Sequence, residues 1–362
     1  MSRKTEVKTQ SRHRYPVIIN SGWPGFSSFT PVDKLLVVID ENVNQIYGDE
    51  LRGRFNELTG ELLWYQVPSG ESSKSIDEFN RIADYALANK VRRQTPLWAV
   101  GGGVTGDLAG FAAASLLRGL PLYHLPTTLL AMVDSAIGGK TGINHRRGKN
   151  LIGAFYQPEL VWANVDVLKT LPEREWNCGL AEVLKYACIS DFDIFSKVES
   201  ILKSDNENNQ KELISLIEKS AQIKVEIVNE DEREAGKRAF LNFGHTFGHA
   251  IETFTEYRRF VHGEAIFIGL VAAAWLSEKL GSPVTPEPLL NFTNQYRLST
   301  LDLCTSVNKM VSLMESDKKN ITSTVRIIVL NDWGQPEIKQ IEDHSLLESA
   351  FQFALRSVHY TE

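Results

Sequence analysis

The feature that narrows the fold most is a rhythm in the first half of the chain. Four short apolar runs, Leu35–Asp40, Leu62–Val67, Leu97–Val100 and Leu122–Leu125, are each followed by turn or helix-starting residues. Such an alternation reads as a parallel sheet covered by helices. A helical period over Ser72–Leu87 follows the turn signal Pro68-Ser-Gly70 and fits the same scheme. The rhythm stops near Leu171-Pro172.

From Pro172 to Gly281 the pattern is helical instead. Within Ile201–Val228, Leu213, Leu216, Ile217, Ile223 and Ile227 fall roughly on one helix face, and Ala265–Leu280 is apolar all round, as in a buried helix. A strand-like run, Val325–Leu330, and a helix near Leu346–Arg356 complete the chain. A length of 362 residues exceeds what one core usually serves. The expected organisation is an α/β domain over residues 1–171 and a mainly α-helical domain over residues 172–362.

Composition removes several classes of function. With 39 Lys+Arg against 45 Asp+Glu the formal charge is −6, and no long basic run offers a nucleic-acid footprint. Cys178, Cys188 and Cys304 form no CxxC pair and suit reduced thiols in a cytosolic protein. The polar segment at Met1–Pro16 is unlike a signal peptide, and no apolar stretch nears the ~20 residues that span a bilayer. The expectation is a cytoplasmic protein with neither a membrane nor a nucleic-acid partner.

The chemistry concentrates in three segments. The first, Gly101-Gly-Gly-Val-Thr-Gly106-Asp107-Leu-Ala-Gly110, follows the run ending at Val100. Glycines between a strand and a helix let backbone N–H groups approach a phosphate at the helix N-terminus. A tight turn needing glycine for its geometry is the plainer alternative, and the strand context favours nucleotide binding. Asp40, at the end of an early strand, suits a ribose or an N-cap equally. Glu71 and Lys74 suit a surface ion pair as readily as a ligand.

The second segment runs from Pro126 to Asn144 and on through Gly148-Lys149-Asn150. It gathers Thr127, Thr128, Asp134, glycines and Lys140, and lysines in such loops suit phosphate oxygens. Walker A is excluded, because the upstream glycine is missing at the required spacing. The third segment lies in the helical half. Glu182 and Lys185 sit three apart on one helix face, His245 and His249 sit four apart, and His262-Gly-Glu264 follows after a loop. Three of eight histidines within eighteen positions, among glycines, point to a metal. Spacing leaves the ligands open among His245, His249, His262, Glu182, Glu252 and Glu264. A zinc protease is disfavoured, since Thr246 stands where HExxH needs its glutamate.

Together the segments GGGVTGDLAGF, LPTTLLAMVDSAIGGKTGIN, GKNLIGAFYQP, LKTLP, GLAEVLKY, DERE, LNFGHTFGHAIE, HGEA and MESDKK resemble the 3-dehydroquinate synthases, within the sugar-phosphate cyclases. The likeness runs from about Leu35 to Lys319. It implies a Rossmann-like NAD-binding domain followed by a helical metal-binding domain. Its activity converts 3-deoxy-D-arabino-heptulosonate 7-phosphate to 3-dehydroquinate and phosphate, a step of the shikimate pathway. That reaction proceeds through transient oxidation by NAD, phosphate elimination, reduction and intramolecular aldol closure.

By motif position the resemblance assigns NAD contacts to Asp40, Asn42, Glu71, Lys74, Gly103, Val104, Thr105, Gly106, Asp107, Thr127, Thr128, Lys140, Lys149, Val167, Leu168, Lys169 and Thr170. It assigns Zn2+ or Co2+ ligands to Glu182, His245 and His262. Substrate and catalytic positions become Arg118, Asp134, Lys140, Asn150, Lys185, Lys224, Arg238, Asn242, His249 and the pair Lys318 and Lys319. The partner implied is a small sugar phosphate, and the assembly implied is a homodimer. The loop Tyr257–Val261 departs from the family pattern, with bulky and basic residues where a small turn is usual. Rivals are another sugar-phosphate cyclase such as 2-epi-5-epi-valiolone synthase, a metal-dependent alcohol or glycerol dehydrogenase, and a catalytically silent NAD-binding scaffold.

Overall fold

A computed structural model describes residues 3–8, 13–203, 209–315 and 324–360. By its own contacts the chain divides into two compact units. The first comprises Met1–Leu171 with Leu213–Arg233, and the second Pro172–Glu212 with Glu234–Glu362. Leu213–Arg233, helical as expected, therefore groups with the α/β unit rather than with the helical one. Its side chains explain why: Lys224 reaches Asp134 at 2.7 Å, and the Asn229 amide oxygen accepts the Lys8 N–H at 2.6 Å.

The first unit holds strands β1 (Arg3–Lys8), β2 (Arg14–Asn20), β3 (Val32–Asp40), β4 (Thr59–Val67), β5 (Leu97–Gly101), β6 (Leu122–Pro126), β7 (Lys140–His145), β8 (Gly148–Phe155) and β9 (Leu160–Asn164). Its helices are α1 (Glu41–Asn56), α2 (Ile76–Ala88) and α3 (Gly103–Ser115). Seven strands form one sheet in the order β1-β2-β9-β6-β5-β3-β4, parallel except for the β1–β2 pair, while β7 and β8 make a separate hairpin. Residues of β3 alternate between two cores. Leu36 and Val38 pack with Ile82, Leu108 and Ala112, whereas Leu35, Val37 and Ile39 pack with Leu51, Phe55 and Trp98. Burial on both faces is why this strand is an unbroken apolar run.

Strand β3 lies between β4 and β5, so the chain winds one way from β3 to β4 and the other way from β5 onward. That reversal is a topological switch point, where the tips of β3 and β5 leave a crevice above the sheet. The tips meet there: a Cβ built on Gly101 would lie 3.1 Å from the Asp40 Cβ.

The second unit contains α4 (Glu173–Ile189), α5 (Asp193–Lys203), α7 (His245–Phe254), α8 (His262–Lys279), α9 (Glu287–Leu290), α10 (Thr293–Tyr296), α11 (Val307–Glu315) and α12 (His344–Ser357). Helix α6 (Asn209–Glu230) starts in this unit and runs mostly in the other. Strands β10 (Val325–Asp332) and β11 (Gln335–Ile341) form an antiparallel hairpin. Helix α8 is the hub, buried all round as its composition demanded, with α4, α7 and α12 against it. Two glycines let backbones touch backbones there. A Cβ on Gly263 would stand 2.3 Å from the Cys178 Cα, and one on Gly269 would stand 2.1 Å from the Gly244 carbonyl oxygen. Neither position tolerates a side chain unless a helix moves.

Two outcomes follow from this packing. Gly263→Ala should lower stability by about 2 kcal/mol, in line with overpacked cores, and denaturant titration measures it. Along β6, His124 is buried between Ala99 and Val161, and burial pushes its imidazole down to about 4. The unfolded chain then takes up a proton that the native state refuses. Stability should therefore fall as pH drops from about 6.5 to about 4, by up to ~3 kcal/mol. A His124→Phe variant should flatten that slope in melting curves, and an unchanged slope refutes the assignment.

Candidate active site

In the second unit, α4 presents Glu182 and Lys185 from one buried face, and the two form an ion pair with each side chain 1% exposed. His245 and His262 are the first residues of α7 and α8. Side chains at helix starts lean back toward the N-terminus, so both imidazoles extend beyond their helices. Each offers Nε2 to the same atom: His245 Nε2 and His262 Nε2 both lie 3.5 Å from Glu182 Oε1. That oxygen is buried and, the two imidazoles apart, has no hydrogen-bond partner among the described residues. The opposite ring nitrogens have their own neighbours, the Phe243 carbonyl 3.2 Å from His245 Nδ1 and Glu252 Oε2 3.6 Å from His262 Nδ1.

Burial pushes the Glu182 carboxyl up, but the Lys185 ammonium and His245 outweigh it and hold the group well below the usual carboxylate range. For His262, burial lowers the imidazole while Glu182 and Glu252 raise it more, to about 9. Ligand atoms of Glu182, His245 and His262 lie within 4.8 Å of one another, and those of His249, Glu252 and His262 meet the same limit. The first trio is the better cation site, because it contains the buried oxygen without a hydrogen bond. His249 is exposed, its ring 5.4 Å from that of His245 and 6.3 Å from that of His262. Arg238 is 1% exposed in the 3-10 turn Lys237–Asn242, and Asn242 donates to Glu234 at 2.7 Å. Cys178, one turn before Glu182, accepts the Gly263 N–H at 3.1 Å, and burial pushes its thiol up to about 12.

The first unit gathers a second set of groups near the switch point. Asp40 is the N-cap of α1, accepting from the N–H groups of Asn42 at 2.8 Å and Val43 at 3.2 Å. The run Gly103, Val104, Thr105, Gly106 and Asp107 opens α3, with Gly102 at the N-cap and no side chain capping it. First-turn N–H groups of such a helix have no acceptor within it, which suits an anion. Lys74 is 5% exposed and pairs with Asp107, whose carboxyl burial nonetheless pushes up. Glu71 accepts from Asn144 Nδ2 at 2.7 Å, and Asn144 Oδ1 in turn accepts the Asn150 N–H at 3.0 Å. Glu71 and Lys74 thus have separate partners and do not form the surface pair that their spacing allowed.

Other expected residues are placed less closely. Thr127 donates its N–H to the Gly101 carbonyl at 2.9 Å, and Thr128 Oγ1 accepts the Ala131 N–H at 3.2 Å. Asp134 lies in a π-helical turn (Ala131–Ser135), a form common at functional sites. Lys140 is exposed and Lys149 half-buried on the β7–β8 hairpin. Val167 and Leu168 are core residues, Lys169 pairs with Asp166, and Thr170 Oγ1 lies 2.9 Å from the Tyr47 hydroxyl. Arg118 is exposed just past the C-terminal end of α3, away from the glycine turn at its start. Lys318 and Lys319 lie outside the described residues. Sequence reasoning gave Asn144 no role, and left Glu252 among possible ligands rather than beside one. The seven-residue step from His245 to Glu252, two turns along α7, was the available signal.

Comparison with known proteins identifies the family. The family model for the 3-dehydroquinate synthase N-terminal region matches residues 64–178, and that for the C-terminal region matches residues 179–320. The 3-dehydroquinate synthase of Salinibacter ruber is 44% identical over 323 residues, covering 89% of this chain and 88% of the relative. A solved 2-deoxy-scyllo-inosose synthase, complexed with carbaglucose-6-phosphate, NAD+ and Co2+, superposes with a TM-score of 0.82 at 24% identity. It covers 97% of this chain and 100% of that one. The 2-epi-5-epi-valiolone synthase of Streptomyces hygroscopicus, with NAD+ and Zn2+ bound, gives 0.82 at 24% identity, covering 94% and 97%. The two structures share the fold. The family models and the identity to the curated relative establish that this chain belongs to the 3-dehydroquinate synthase family.

Proposed function

We propose that this chain converts 3-deoxy-D-arabino-heptulosonate 7-phosphate to 3-dehydroquinate and phosphate, with Glu182, His245 and His262 as the holders of a divalent metal. The observation that carries the reading is the buried Glu182 oxygen without a hydrogen bond, faced by two imidazole Nε2 atoms at 3.5 Å each. A carboxylate and two imidazoles with room for substrate oxygens suit Zn2+ or Co2+. Once bound, the metal supplies Lewis acidity to the substrate hydroxyls, and NAD supplies a hydride acceptor that the reaction regenerates.

The chain's own groups do the rest. The Phe243 carbonyl and Glu252 sit on the Nδ1 sides of His245 and His262, leaving Nε2 of each for the cation. A ring nitrogen of the exposed His249 takes the proton from the hydroxyl being oxidised, and Asn242 orients that hydroxyl. The buried guanidinium of Arg238, with Lys224, binds the substrate carboxylate. In this reading the substrate carboxylate is an anionic ligand of that guanidinium, which favours the heptulosonate over a cyclase substrate that lacks one. Lys140, Asn150 and Lys185 bind the phosphate, joined by Arg118 and by Lys318 or Lys319, while Asp134 positions Lys224 through their 2.7 Å contact.

NAD lies at the switch point in this reading. Its pyrophosphate rests on Gly103–Asp107, and Asp40 and Asn42 receive its ribose. Glu71, Lys74, Thr127, Thr128, Lys140, Lys149 and Val167–Thr170 complete the surround. Among the described residues no helix is long and apolar enough to cross a membrane. A cytoplasmic location, as the composition suggested, and a homodimer, as the family likeness implied, complete the proposal.

The test is direct. Purified protein with Zn2+, catalytic NAD and the heptulosonate phosphate should release stoichiometric phosphate without net NADH. Accumulating NADH, or no phosphate, overturns the reading. His262→Ala should lose both metal and turnover. Arg238→Lys, which exchanges a planar fork for a point charge, should raise KM for the heptulosonate roughly tenfold and leave NAD affinity unchanged. Equal losses for both ligands reject the carboxylate role.

A further inference from the structure

The segment that delivers His262 is bracketed by two guanidinium–carboxylate forks. Arg174, in the first turn of α4, donates Nε to Glu264 Oε1 at 2.7 Å and Nη2 to Glu264 Oε2 at 2.8 Å. The same Nη2 donates to the Arg259 carbonyl at 3.0 Å, and Glu264 Oε2 accepts the Val261 N–H at 2.9 Å. Arg259 forms the second fork, donating Nη1 to Asp302 Oδ2 at 2.6 Å and Nη2 to Asp302 Oδ1 at 2.8 Å. Its Nη2 also reaches the Ser299 carbonyl at 2.5 Å. Residues 259–264 are therefore tied on both sides of His262, three positions before it and two after.

The loop needs such ties. Glu256 and Tyr257 both adopt left-handed backbone, with φ of 54° and 58°, a conformation that non-glycine residues resist. Phe260 is buried under the Arg259 guanidinium, which lies 5.1 Å from its ring centroid. Arg259 and Phe260, bulky and basic residues of this loop, make these contacts.

We infer that Arg174 and Arg259 are positioning residues, whose forks to Glu264 and Asp302 hold His262 in its metal-binding geometry before the metal arrives. The inference rests on the reading of His262 as a ligand. Ion pairs as exposed as Arg259 with Asp302, whose side chains are 35% and 62% exposed, add little to global stability. A rigid loop before a ligand, by contrast, spares metal binding the cost of ordering it.

Asp302→Asn and Arg174→Lys test this in the full chain, and Asp302 is exposed enough that its variant should fold. Metal affinity is read by competition with a chromogenic chelator, alongside melting temperature and steady-state kinetics. Both variants should bind Zn2+ about tenfold more weakly, the range for residues that orient metal ligands, while Asp302→Asn melts within about 2 °C of the parent. With Zn2+ saturating, kcat should recover and KM for NAD should match the parent. Unchanged Zn2+ affinity in Asp302→Asn overturns the inference, as does a loss matched by global unfolding. The parallel His262→Ala variant separates the two readings. If it keeps Zn2+, the ligand reading fails and the inference fails with it. If it loses Zn2+ while Asp302→Asn binds normally, only the inference fails.

Discussion

Direct backbone contact on α8 is the constraint on which the helical unit depends. Gly263 lies against the Cys178 backbone of α4, and Gly269 lies against the Gly244 carbonyl that precedes α7. Because three helices meet without intervening side chains, the first residue of α7, the first residue of α8 and the middle of α4 converge on one oxygen of Glu182. Close-packed interiors transmit small displacements, so the spacing of those three groups is inherited from helix packing together with the tied loop that precedes His262. Gly244 contributes twice, since its left-handed φ of 77° also turns the chain into α7.

The α/β unit obeys a different constraint, sheet topology. The winding reversal beside β3 leaves a crevice at the strand tips, and Asp40 and the opening of α3 meet there. Across both units a chain of net charge −6 buries a set of cations. Lys74, Lys185, Lys224 and Arg238 are each 6% exposed or less, and the three lysines pair with Asp107, Glu182 and Asp134. Burying a charge is costly even when it is paired, so these groups are poor candidates for simple stabilisers. In the proposed reading an anionic substrate and cofactor give them a purpose that the mean charge of the protein conceals.

Much of this was legible in the sequence. Leu35–Asp40, Leu62–Val67, Leu97–Val100 and Leu122–Leu125 all became strands of the main sheet, because burial on two faces writes an apolar run. β2 was missed because Pro16 and the arginine at its start disguise it, and β11 because its only strongly apolar residues are Ile338 and Ile341. The β7–β8 hairpin reads as a glycine-rich loop, since its pairing lies outside the sheet whose rhythm gave β3, β4, β5 and β6 away. Ligand types were visible, yet spacing could not rank six candidates. The family resemblance singled out Glu182, His245 and His262, and the buried Glu182 oxygen, a property of packing, supports the same trio. Asp40 suited ribose or cap from sequence; it caps α1 through Oδ1, and the ribose contact belongs to the proposed reading.

Cys178 carries a consequence of its own. It stands one turn from Glu182 with its sulfur accepting the Gly263 N–H, and its thiol, pushed up to about 12, stays protonated at any physiological pH. Thiophilic ions such as Cu(I) bind through thiolate, so this neighbourhood offers them no soft anion and leaves the field to borderline cations content with nitrogen and oxygen. Peroxide and alkylating reagents also act on thiolate, and they find none beside the carboxylate on which the helices converge.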